Sequence, residues 1–105
     1  MRVGVFSSKL LLFYYAAGYL GEEDYARLQT HLTQRPDAGA VIPGSRGLRK
    51  LRWAAKGQGK RGGTRVIYYW HVTPEIITLL KIYPKNEKDD LTKNEIRLLN
   101  LLLED

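Results

Sequence analysis

The sequence predicts an α+β protein: an antiparallel sheet of about four strands, with an N-terminal helical hairpin before it and a C-terminal helix after it. Three observations carry that prediction. Apolar residues recur at helical spacing near both ends of the chain. Two runs dense in β-branched and aromatic residues, Thr64 to Val72 and Ile76 to Tyr83, follow one another in its second half. Glycine and proline stand where one pattern gives way to the next.

Val3 to Phe6 is a short apolar run suited to a first strand, and Ser7-Ser8 offers an N-cap for the segment that follows. A helix is expected over about Lys9 to Tyr19, apolar on all sides. The next begins after Leu20-Gly21, where Glu22, Glu23 and Asp24 put negative charge at the positive end of the helix dipole. Tyr25, Leu28 and Leu32 then follow at helical spacing, and Pro36 ends the helix. These two helices make the hairpin.

After a turn at Pro43-Gly44, Leu48 to Ala55 alternates as a strand does, with Leu51 and Trp53 on one face and Lys50 and Arg52 on the other. Gly57 to Gly63 is too rich in glycine for regular structure and reads as a hairpin loop with Lys60 and Arg61 at its tip. Thr64 to Val72, apolar on both faces, suits a central strand that Arg65 opens. A turn at Thr73-Pro74 leads to the last strand, which Pro84 stops. Thr92 and Glu95 form a capping box for a final helix whose apolar face includes Ile96, Leu99 and Leu103.

A chain of 105 residues suits one domain spanning 1–105, because small chains cannot bury two cores. With 44% hydrophobic residues it has apolar material enough to offset the entropy of ordering. The apolar run from Leu10 to Leu20 is shorter than the roughly 20 residues a membrane-spanning helix needs. Arg2 and Lys9 before it and Ala16-Ala17-Gly18 after it mimic a secretory signal, although a buried helix is the favoured reading. The absence of cysteine removes disulfides, thiolate metal sites and thiol nucleophiles, and fits the cytoplasm. His31 and His71 lie far apart with no carboxylates at ligand spacing, so neither a metal nor a cofactor is expected.

The net charge of +6 is concentrated in the middle of the chain. Between Asp37 and Glu75 there is no acid, yet Arg46, Arg49, Lys50, Arg52, Lys56, Lys60, Arg61 and Arg65 all fall there. One-sided charge of this kind is the footprint of a polyanion partner, most often nucleic acid.

The strings PGSRGLRKLRWAAKGQGKRGGTRVIYYW and ITLLKIYPKNEKDDLT closely resemble the RelE/HigB toxins of type II toxin-antitoxin systems, in particular the HigB branch with its long glycine- and lysine-rich hairpin. The likeness extends over about Leu20 to Leu99. It implies a RelE-like, microbial-ribonuclease-type fold, with helices on one side of the sheet and a cleft on the other. It also implies a ribosome-dependent messenger-RNA endonuclease held silent by a cognate antitoxin, meeting operator DNA only through the antitoxin complex and no membrane. Two rivals stay open: a relative of the same fold that poisons gyrase, as ParE-like toxins do, and a basic nucleic-acid-binding module without catalysis.

RNA can be cut without a metal when a ribose 2′-hydroxyl attacks the adjacent phosphate, given a proton acceptor, a proton donor and cations around the phosphorane. The expected catalytic set is Arg65, Lys50, Arg52 and Lys85. Arg65, in the family's recurrent arginine position, is the first choice to hold the scissile phosphate through its planar fork. Lys50 is a candidate base and Arg52 a candidate phosphate clamp, and the residues do not settle which acts as which. Lys56, Lys60, Arg61 and Arg49 are expected on RNA backbone, and Tyr83 on a base or in the core. Asn86, where RelE toxins often carry a second arginine, and Thr92, in place of a tyrosine, depart from the family pattern.

Overall fold

A computed structural model describes residues 4–7, 22–53, 63–71, 75–84 and 90–104. Its elements are β1 (Gly4–Ser7), α1 (Glu22–Gln34), β2 (Ala40–Val41), β3 (Arg49–Trp53), β4 (Thr64–His71), β5 (Ile76–Pro84) and α2 (Lys93–Glu104). The helix expected over Lys9 to Tyr19, the partner of α1 in the hairpin, lies outside the described residues, as does the glycine-rich loop up to its last residue, Gly63.

The strands form one sheet in the order β1-β5-β4-β3-β2. β3 to β5 form the expected antiparallel meander, β2 adds a short antiparallel strand at one edge, and β1, the expected first strand, lies at the other edge parallel to β5, which corrects an all-antiparallel sheet. The two residues of β2 had too short a pattern to be read from the sequence. β4 and β5 lie in the interior of the sheet, and their apolar character on both faces follows from this position. Val66, Ile67, Tyr68, Leu79, Leu80 and Ile82 are all buried.

Helices cover both faces, so the expectation of helices on one side only is corrected. α1 lays Leu28 and Leu32 against Leu51, Val66, Tyr68, Ile77, Leu79 and Ile82. α2 brings Leu99, with Ile96 and Leu103, onto Leu48, Ile67, Leu80 and Tyr83 of the opposite face. A register shift at Ile67/Tyr68 makes this division possible. Ile67 pairs with Lys81 while Tyr68 pairs with Leu79, so Leu80 is the extra residue of a bulge. Alternation is interrupted there, and Leu80 and Lys81 both serve the α2 face: Leu80 in its core, Lys81 in an ion pair with Glu95 of α2.

Between α1 and β3 the chain passes beneath Tyr68, whose hydroxyl donates to the Pro36 carbonyl at 2.7 Å and accepts from the Gly39 amide at 2.8 Å. A Cβ at Gly39 would come within 2.8 Å of the Tyr68 ring and 3.0 Å of the Lys50 carbonyl, so only glycine fits this approach. The turn into β3 places Gly44, Arg46 and Gly47 at positive φ around the buried Ser45. Asn100 of α2 fastens the turn by donating to the Ser45 carbonyl at 3.1 Å. Among the described residues no helix is long and apolar enough to cross a membrane.

Candidate functional site

Residues directly opposite one another in a ladder share a face, as do alternate residues of a strand. Two rows of side chains on the α2 face follow from the register. In the first, Arg52 stands opposite Arg65, and Arg65 opposite Tyr83. In the second, Lys50 stands opposite Ile67, and Ile67 opposite Lys81. Lys50, Arg52, Arg65 and Lys81 therefore project from one face of three adjoining strands. With strands spaced about 4.8 Å apart, each row spans about 10 Å.

The four cations differ in how they are held. Arg52 is exposed, and no carboxylate among the described residues pairs with it. Arg65 is only 3% exposed. Its guanidinium turns back past Gly63, where an added Cβ would sit 3.4 Å from Nη1. It forms the floor of the row, and Arg52 is the cation that solvent meets. Lys50 donates to Asp90 at 2.8 Å; its side chain is 21% exposed and that of Asp90 84%. Lys81 donates to Glu95 at 2.9 Å, with both side chains largely enclosed.

α2 supplies both acids from its first turn and the residues leading into it. Thr92 Oγ1 accepts from the Glu95 amide at 3.1 Å and Glu95 Oε1 accepts from the Thr92 amide at 2.9 Å, the capping box predicted from the sequence. The other oxygen of Glu95 takes the Lys81 ammonium. Thr92 is thus occupied as a helix cap. Lys81, Asp90 and Glu95 were missed as parts of this face, although Lys81 stands two residues from Tyr83 on the same strand and that spacing was a usable signal.

Two residues expected on RNA sit away from the solvent side of this face. Arg49 points to the opposite, α1 face, where it donates to the Gly39 carbonyl at 2.7 Å and lies 5.8 Å from the Trp70 ring centre. Its role there is to hold the α1–β2 connection. Tyr83 is 2% exposed in the α2-side core, so its ring is not open to a base. Lys56, Lys60, Arg61, Lys85 and Asn86 lie outside the described residues. His71 hydrogen-bonds Thr78 at 3.0 Å and His31 packs against Trp53. Among the described residues no group of three or more histidine, aspartate or glutamate side chains is placed to hold a metal ion.

No family model matches the chain. Its fold is similar to the solved structure, in the free state, of a variant of the E. coli toxin RelE in which two arginines are replaced by alanine. The TM-score is 0.60 at 13% identity, over 85% of this chain and 90% of that one. At this identity the likeness is one of fold, and the chain has a RelE-like α+β fold.

Proposed function

We propose that the protein is the toxin of a type II toxin-antitoxin system and acts as a ribosome-dependent messenger-RNA endonuclease. One observation carries the reading: the register of β3, β4 and β5 gathers Lys50, Arg52 and Arg65 on one face, with Arg52 directly opposite Arg65. The RelE-like fold agrees with it. In this reading Arg52 and Lys50 contact the phosphate, and Arg65 adds positive charge from the floor of the row, where exclusion of water makes the charge more effective. The 2′-hydroxyl forms the new bond to phosphorus as its proton passes to a base. The bond from phosphorus to the 5′-oxygen breaks, and the leaving oxygen takes a proton. Lys50 and Lys85 are the candidates for these transfers, and Lys56, Lys60 and Arg61 the candidates for holding RNA backbone. A cognate antitoxin is the expected partner.

The test is expression in a cell-free translation system with mapping of transcript ends. Cuts at the ribosomal A site that disappear with R65A, with activity reduced about 10²- to 10³-fold or more, are the expected result. Intact transcripts accompanied by blocked DNA supercoiling overturn the reading in favour of a gyrase poison. RNA binding without cuts leaves a binding module instead.

A further inference from the structure

We infer that Asp90 is a built-in competitor for RNA: its carboxylate holds the Lys50 ammonium where a backbone phosphate binds, and is displaced when RNA arrives. The inference rests on the reading of this face as an RNA site, and it adds a residue that tunes affinity there.

The two acids on the Lys50–Ile67–Lys81 row are held differently. Glu95 is enclosed, caps α2 through one oxygen and pairs with Lys81 through the other. It is a structural anchor. Asp90 has 84% of its side chain in solvent and its bond to Lys50 spans the surface at 2.8 Å. Such a surface pair contributes little, and is within reach of a phosphodiester that offers the same charge and several acceptor oxygens. Asp90 nevertheless keeps its place. Leu91, next to it, packs against the α2-side core, and the capping box at Thr92 fixes the start of the helix. The carboxylate is therefore tethered beside Lys50 at a high local concentration, without being part of the packing itself.

The arrangement makes Asp90 a stand-in for phosphate. It pairs with Lys50 in the absence of RNA and lowers affinity for nonspecific polyanions. Full binding is then left to RNA that engages several cations of the face at once.

The experiment is fluorescence anisotropy with a mixed-sequence single-stranded RNA oligonucleotide at constant salt, using wild type, D90N, K50A and the D90N/K50A double variant. D37N serves as the control. It changes net charge by the same amount, but Asp37 is paired with Arg35, away from the row. The expected result is that D90N binds about twofold to fivefold tighter, D37N binds as wild type does, and the effect of D90N disappears in the K50A background. Equal gains from D90N and D37N, or a D90N effect that survives K50A, overturn the inference while leaving the RNA-cleaving reading intact. If neither wild type nor any variant binds RNA, the inference is overturned, while the RNA-cleaving reading stands or falls by the cuts mapped in the translation system.

Discussion

Arg52 and Arg65 face each other directly across β3 and β4, the first exposed and the second almost wholly enclosed. Like charges in opposed positions of a sheet weaken it, and under the proposed function the pair serves to place two cations on one phosphate. R52Q is predicted to raise stability by about 0.2–1 kcal/mol while weakening RNA binding. Urea denaturation and RNA titration on the same preparation check both halves. A variant that loses stability together with affinity refutes the trade-off.

Arg49 and Arg52 are three residues apart on one strand and belong to opposite faces. R49A is predicted to cost about 1–2 kcal/mol, through loss of the bond to the Gly39 carbonyl and the stacking on Trp70, with little change in how RNA binding responds to salt. R52A is predicted to reduce the slope of log affinity against log salt by about 0.7 with no loss of stability. Similar salt slopes for the two variants would mean that the faces are wrongly divided.

Local features of this fold were legible in the sequence. The acidic first turn of α1, the stop at Pro36, the alternation of Lys50 and Arg52 with Leu51 and Trp53, and the Thr92–Glu95 capping box depend on neighbours within a few residues. The features that escaped are set by distant parts of the chain. Arg49 reads as one more base in a basic string, until Gly39 and Trp70 are seen to take its guanidinium on the other face. The bulge that turns both Leu80 and Lys81 toward α2 is a matter of register between β4 and β5, and a strand pattern of period two conceals it. The placing of α2 over the cationic face, with Asp90 and Glu95 on two of its lysines, is a tertiary event with no signature in spacing.

Thr92 and Glu95 share the capping box, but only Glu95 also holds the sheet. T92A is predicted to cost about 1 kcal/mol, the usual loss for a missing cap. E95A removes the reciprocal cap bond and leaves Lys81 without its enclosed partner, and is predicted to cost more, about 2–3 kcal/mol in all. Denaturant midpoints give the order directly. If T92A proves the more damaging, the Lys81–Glu95 pair contributes little.

Tyr68 gives the fold a measurable alkaline limit. Its hydroxyl is enclosed between the Pro36 carbonyl and the Gly39 amide. Burial is the largest influence on its pKa and raises it above 10.0; the Gly39 amide and the Arg49 charge pull the other way without overcoming it. The folded protein thus keeps the Tyr68 proton at a pH where the unfolded chain has lost it. Stability drawn from this group is complete below about pH 10 and declines as pH rises from there through the higher folded value, because the unfolded state gains by ionising first. Y68F lacks both the hydrogen bonds and the titration, and is predicted to be less stable by about 1–3 kcal/mol at neutral pH. The two proteins differ only at this hydroxyl, so the difference between wild type and Y68F isolates Tyr68. That difference is predicted to shrink as pH rises above about 10 in urea denaturation. A gap that stays constant over this range would show that the phenol ionises as readily in the folded protein as in the unfolded chain.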